Sequence, residues 1–256
     1  MREDIDGGSA PALLAVAHGT RDPSGPVAVR SLLDRVRALR PGLRVAEAYG
    51  ELSEPSLEDA AASLREDGAD GPVVVVPLLL ARGYHALIDI PDRASRLLSA
   101  AVTTPPLGPD ALLTTALTAR LAESLGDGGR AGQAPPRRVD GVVLGAAGSA
   151  DPAGREDVAA AARLLGERLG RPVPYGFVAA DGPPLDEAVA RARRDGARHV
   201  AVVSYLLAPG RFHGRMADCG ADAVTAPLGA HDAVARLVLR RYDRARSPEC
   251  RPAALA

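Results

Sequence analysis

Four segments of this 256-residue chain recur, in the same order, about half a chain later. "AHGTRDPSG" at 17–25 returns as "AAGSADPAG" at 146–154, and "PSLEDA" at 55–60 returns as "PPLDEA" at 183–188. "LLARG" at 79–83 returns as "LLAPG" at 206–210, and "PPLGPD" at 105–110 as "APLGAH" at 226–231. The offset is 129 for Asp22 and Asp151, then 127, then 121, as loops shorten. A duplicated chain folds as two similar units, so whatever the first half builds the second builds again.

Within the first half, short apolar runs alternate with longer amphipathic ones. Leu13–Ala17, Arg44–Tyr49 and Val73–Leu80 have the length of buried strands, whereas Pro26–Arg40, Pro55–Asp67 and Asp110–Leu125 carry helical apolar spacing. Pro26 and Pro55 suit first-turn positions, Gly42 and Gly68 follow last turns, and Asp110 can cap the helix after it. Consecutive parallel strands need crossover helices. The expectation is an α/β protein of two similar lobes, each a parallel sheet flanked by helices, with a ligand cleft at their junction. The lobes are bounded at 1–125 and 139–246, joined by the Gly/Pro-rich "GDGGRAGQAPPRR" at 126–138 and followed by a frayed tail at 247–256.

Composition removes several function classes. A formal charge of −1 leaves no electrostatic footprint for nucleic acid or an anionic membrane. All 31 basic side chains are arginine, so neither a Schiff-base lysine nor a Walker-type P-loop exists. Cys219 and Cys250 are far apart and suggest neither a disulfide framework nor a cysteine zinc site. The opening "MREDIDGGSAP" lacks an apolar h-region and no apolar run approaches a bilayer span, which points to a cytoplasmic enzyme or binding protein.

The chemistry concentrates after three strands of the first lobe. Loops leaving the carboxyl ends of parallel strands line one edge of the sheet, where ligands bind. His18 follows the first strand, Glu51 the second and His85 the third. Two imidazoles and a carboxylate suit divalent Fe, Co, Ni or Zn, and equally suit proton removal near neutral pH. Residue types alone do not choose between ligand and base. The second lobe has Ala147 opposite His18 and Ala179 opposite Glu51, with only His213 near the counterpart of His85. A histidine needed for folding would not be dropped from a sister lobe, so the chemistry is assigned to the first. His199 before a strand and His231 at a helix start are read as structural.

"LLAVAHGTRDPSG", "AEAYGELSEPSLEDA" and "VVVVPLLLARGYHALIDIPD" resemble the CbiX/SirB class of sirohydrochlorin chelatases, in its long, internally duplicated form. The third motif, with Gly83, His85 and "DIPD" at 89–92, is the most specific; Gly50, Tyr84 and Ala86 depart from the usual pattern. The resemblance implies insertion of Fe2+ or Co2+ into sirohydrochlorin, for sirohaem or cobalamin, with no nucleotide and no cofactor beyond the substrate metal. It implies His18 and His85 as metal-handling and catalytic residues, with Glu51 as the acidic partner. Sirohydrochlorin is a broad disc with eight carboxylates, so rim cations are required; Arg21, Arg82, Arg211 and Arg215 flank the corresponding loops and are the candidates. One duplicated chain can complete the cleft, so a monomer is expected. Two other readings compete. A histidine phosphatase needs an arginine directly before its histidine, where this chain has Ala17. A non-catalytic tetrapyrrole or metal carrier would have no use for a poised base.

Overall fold

The computed structural model describes residues 10–66, 71–126, 139–179 and 182–246. Most of the expected linker (127–138), the tail from 247, Gly68 and Cys250 lie outside the described residues.

The first lobe carries β1 (Ala12–Ala17), α1 (Ser24–Leu39), β2 (Val45–Tyr49), α2 (Leu57–Glu66), β3 (Val73–Pro77), a π-helical turn (His85–Asp89) running into α3 (Ile90–Leu97), β4 (Ala101–Thr103) and α4 (Ala111–Ser124). The second repeats the series as β5 (Gly141–Ala146), α5 (Pro152–Leu169), β6 (Tyr175–Phe177), α6 (Leu185–Arg194), β7 (Val200–Tyr205), α7 (Arg211–Met216), β8 (Ala223–Val224) and α8 (Asp232–Arg246). Both sheets are wholly parallel, ordered β2-β1-β3-β4 and β6-β5-β7-β8. The fold class is as expected.

β1 shows how the sequence writes a central strand. All six of its residues are buried. Leu13, Ala15 and Ala17 face one core while Ala12, Leu14 and Val16 face the other, the two-residue period of a strand covered on both sides. Asp110 caps α4 by accepting the Leu112 amide at 2.9 Å. Several boundaries shift: α1 starts at Ser24 rather than Pro26, β3 ends at Pro77 rather than Leu80, and α2 starts at Leu57, not Pro55. Pro55 instead follows a cis peptide, and its carbonyl accepts the Tyr49 amide, so the segment extends the β2 edge before the helix begins.

Helix placement follows from handedness. The chain steps from β1 to β2 in one direction and from β2 to β3 and β3 to β4 in the other, so right-handed crossovers put α1 on one face and α2 and α3 on the opposite face. The outer face is closed by Leu57, Ala61 and Leu64 of α2 with Ile90 and Ala94 of α3. The inner face has α1 alone and needs another helix. It is supplied by the other lobe: α8 packs on α1 and β3, and reciprocally α4 packs on α5 and β7. Leu113, Leu117, Val234 and Val238 therefore belong to one core continuous through both sheets. The boundary at 125 divides the strands but not the packing.

Polar contacts repeat this exchange with the symmetry of the duplication. Arg120 of α4 donates to the Leu228 carbonyl at 2.9 Å, and Arg241 of α8 donates to the Leu107 carbonyl at 3.0 Å. Both pairs of residues are related by the offset of 121. Arg40, the residue after α1, also forms a two-pronged pair with Asp243 of α8. No helix among the described residues is long and apolar enough to cross a membrane.

A chain ending at Gly126 would keep every strand of the first sheet and α1, and lose α8, the second helix on its inner face. Such a fragment is expected to self-associate or aggregate in size-exclusion chromatography with light scattering. A monomer with a cooperative thermal transition would contradict the exchanged-helix packing.

Candidate active site

In a β2-β1-β3-β4 sheet the connections leave β1 and β3 toward opposite faces, and a crevice opens between their carboxyl ends. His18 is the first residue after β1, and His85 is on the loop from β3, at the start of the π-helical turn. Their rings face each other with centroids 4.8 Å apart and planes at 45°. Glu51 completes the group, its Oε1 3.6 Å from His85 Nε2. Side chains separated by up to 67 positions thus share one wall, open to solvent, with His85 about one-third and Glu51 one-half exposed.

Backbone pairing carries this arrangement past the strand ends. The Gly50 amide donates to the Ala17 carbonyl and the Glu51 amide to the His18 carbonyl, both at 2.9 Å, so the β1–β2 ladder runs on until it delivers both functional residues. Gly19 has to be glycine here. Its φ is +97°, and a Cβ on it would lie 1.7 Å from the Glu51 carbonyl oxygen. Leu52 also takes a positive φ, +59°, at a strain cost of about 1–2 kcal/mol for a residue with a branched side chain. The strain leaves a half-exposed leucine beside Glu51. Tyr84, whose ring meets His85 edge-on at 5.6 Å, is likewise exposed, as are Leu87 and Ile88 of the π turn.

Behind His85 lies a polar relay not anticipated from the sequence. Asp89 Oδ2 is 3.2 Å from His85 Nδ1. Arg93 Nη1 is 3.6 Å from the same oxygen and donates to the Gly50 carbonyl at 3.1 Å. The rest of its guanidinium clamps Glu58 at 3.0 and 2.7 Å. The signal was present in "HALIDIPDR": a carboxylate four residues after a histidine and an arginine four further on share one helical face.

Of the four candidate rim arginines, three are exposed and none of these is paired with a carboxylate among the described residues: Arg21, Arg211 and Arg215. Arg211 adjoins Gly210, which lies against Thr20 of the first lobe, so the α7 start and the His18 loop meet across the junction. Arg82 is held differently from these three. Its Nε and Nη2 close on Asp157 of α5 at 2.8–3.0 Å, and its backbone amide donates to the same carboxylate at 2.7 Å. Asp157 is only 7% exposed. A guanidinium committed in this way ties the His85 loop to the second lobe. Asp157 gave no sign in the duplication, since its counterpart at the offset of 129 is Ala28.

The junction is close on both sides. A Cβ on Gly25 would sit 3.2 Å from the Pro209 carbonyl oxygen, and one on Gly154 would sit 2.5 Å from the Arg82 carbonyl oxygen, the same contact in each half of the duplication. The second lobe also repeats the site's backbone without its side chains. The Val178 and Ala179 amides donate to the Ala146 and Ala147 carbonyls as Gly50 and Glu51 do in the first lobe. His213 turns away to the Thr225 carbonyl, 3.0 Å from its Nε2. His231 caps α8 by accepting the Ala233 amide, and burial lowers its pKa. His199, half exposed, lies 4.0 Å from Asp222. Among the described residues no group of three or more His, Cys, Asp or Glu side chains surrounds a single metal position. The first-lobe wall is an open pair of imidazoles with a flanking carboxylate.

The sequence profile of the CbiX family matches residues 12–124 and 141–245, both lobes. A sirohydrochlorin ferrochelatase of Bacillus subtilis is 31% identical over 78% of this chain and 75% of its own length. A sirohydrochlorin cobaltochelatase of Priestia megaterium is 29% identical over 78% of this chain and 65% of its own. Among solved structures, SirB from Bacillus subtilis with Fe3+ superposes with a TM-score of 0.75 at 27% identity, covering 94% of this chain and 97% of that one.

Replacing Asp157 by alanine would strand Arg82 at the lobe junction. Calorimetry is expected to give a lower melting temperature for Asp157→Ala than for Glu156→Ala, which removes only an exposed carboxylate 3.5 Å from the same arginine. Equal midpoints would show that the clamp does not hold the lobes.

Proposed function

The chain belongs to the CbiX family of sirohydrochlorin chelatases, and from that premise we propose that it inserts a divalent metal, Fe2+ or Co2+, into sirohydrochlorin. The observation that carries this reading is the solvent-open pair of His18 and His85 with Glu51 beside it, at the junction of two lobes.

Metal insertion asks for two things: the ion must exchange water for pyrrole nitrogen, and two pyrrole N–H protons must leave. Two imidazole nitrogens are borderline donors that hold Fe2+ or Co2+ without enclosing it, which leaves coordination positions for the macrocycle. A fully caged ion would be a resident cofactor; an ion on an open pair is a substrate that can be handed over. As the ion leaves, His85 Nε2 and the Glu51 carboxylate, 3.6 Å apart, are left as basic groups facing one gap. That gap is favourable only when a cation occupies it. Two pyrrole protons leave as the dication enters the macrocycle, and the two imidazoles with the Glu51 carboxylate are the bases that can take both, so charge at the wall is conserved.

The remaining features suit a large, flat, anionic substrate. Leu52 and Tyr84 present apolar surface next to the donors, fitting the face of a tetrapyrrole. Arg21, Arg211 and Arg215, unpaired with any carboxylate among the described residues, suit its peripheral carboxylates by two-pronged contacts. We assign no nucleotide and no further cofactor to the reaction, and because one chain supplies both sides of the cleft, we expect a monomer. Test-tube preference among metals will follow the Irving–Williams order and does not by itself identify the physiological ion.

The test is anaerobic metallation of free-base sirohydrochlorin, followed by its absorbance change. His18→Ala and His85→Ala should each slow the protein-dependent rate by roughly 100-fold or more while the melting temperature holds, whereas His199→Ala should leave it unchanged. Binding of sirohydrochlorin without acceleration by the unaltered protein would favour a carrier. Equal losses in all three variants would remove the site assignment.

A further inference from the structure

The relay behind His85 does more than fill space. Asp89 closes the π-helical turn and runs straight into α3 in helical conformation, where the Ile90 amide is already bonded to the His85 carbonyl and no free amide asks for a cap. Its side chain makes no cap. It points to His85 Nδ1, 3.2 Å away and four residues back across the π-helical turn. Arg93 Nη1 stands 3.6 Å behind that carboxylate, and the same nitrogen donates to the carbonyl of Gly50, the residue before Glu51. Glu58 fixes the other edge of the guanidinium from α2. One arginine, three-quarters buried, is therefore joined to the supports of both His85 and Glu51.

We infer that Asp89 and Arg93 are positioning residues: Arg93 holds the Asp89 carboxylate against His85 Nδ1, so that His85 presents Nε2 to Glu51 and to the metal. A carboxylate on one ring nitrogen selects the tautomer in which that nitrogen carries the proton, leaving the other as the donor. The Arg93 bond to the Gly50 carbonyl sets the height of the Glu51 loop against the same ring. The second lobe supplies the contrast. At offsets of 127 to 128 the counterparts of Asp89 and Arg93 fall on Met216 or Ala217 and on Gly220 or Ala221, and there His213 bonds a backbone carbonyl through Nε2. Where the brace is missing, the histidine turns away.

The inference rests on the chelatase reading for its consequence in turnover, but not for its geometry, and two measurements separate the two. The first is long-range proton–nitrogen NMR of the metal-free protein at mildly alkaline pH. His85 should show a protonated Nδ1 and a bare Nε2, and Asp89→Asn and Asp89→Ala should populate the opposite tautomer. Bare Nδ1 in the unaltered protein, or an unmoved tautomer in folded Asp89→Ala, would overturn the inference whatever the protein catalyses. The second is metallation kinetics with Co2+ and sirohydrochlorin. Asp89→Ala and Arg93→Lys, which keeps the charge but not the fork, should each lower kcat by about 10- to 100-fold with KM for sirohydrochlorin within about twofold. The affinity of the protein alone for Co2+ should fall in parallel. Asp92→Asn and Arg96→Ala break an exposed ion pair on the same helix and should change neither quantity. An unchanged kcat in folded Asp89→Ala, or a rise in KM alone, would contradict a positioning role. Absence of turnover in the unaltered protein would count against the chelatase reading and leave the NMR result to decide this one.

Discussion

The handedness of the parallel crossover is the constraint from which the rest follows. Once the order is β2-β1-β3-β4, right-handed connections leave α1 alone on one face of the sheet. A sheet half covered on one side is not stable in water. The cure here is mutual: α8 of the second half closes the first sheet, and α4 of the first half closes the second. The same strand order splits the exits of β1 and β3, and His18 and His85 stand on either side of that split. Fold exchange and site are thus two results of one topological reversal.

Duplication explains why half of the molecule can lose its chemistry without losing its shape. Ala147 and Ala179 occupy the same hydrogen-bonded backbone positions as His18 and Glu51. The backbone geometry is a property of the sheet, and the side chains are additions to it. The second lobe still acts on the site. Asp157 grips both the backbone and the side chain of Arg82, three residues before His85, so the lobe without the imidazoles anchors the loop that carries one of them.

Strands, most helices and the three clustered residues were legible because each rests on local pattern: apolar runs, caps, and loops following strand ends. His18 could be placed from its position after "LLAVA" alone. What was not legible is set by contacts distant in the chain. The amphipathic spacing of Asp110–Leu125 announces a helix but not which sheet it covers, because an apolar stripe fits either. Arg82 could be read as flanking the site loop, but its partner Asp157, 75 positions away, could not. Pro55 read as a helix start because a proline before an amphipathic run usually is one; the pairing of its carbonyl with Tyr49 is a tertiary fact. Asp89 and Arg93 lay in plain view in "DIPDR", but a carboxylate and an arginine on a helix face are commonly no more than solvated surface.

If the two imidazoles at the reversal point receive the metal, the ion itself should be found there. Anomalous scattering at the cobalt edge from crystals of the metal-loaded protein is expected to place Co2+ against the ring nitrogens of His18 and His85, with Glu51 on the same side. An ion bound elsewhere, at His213 or at His199 and Asp222, with the first-lobe pair empty at full occupancy, would contradict it.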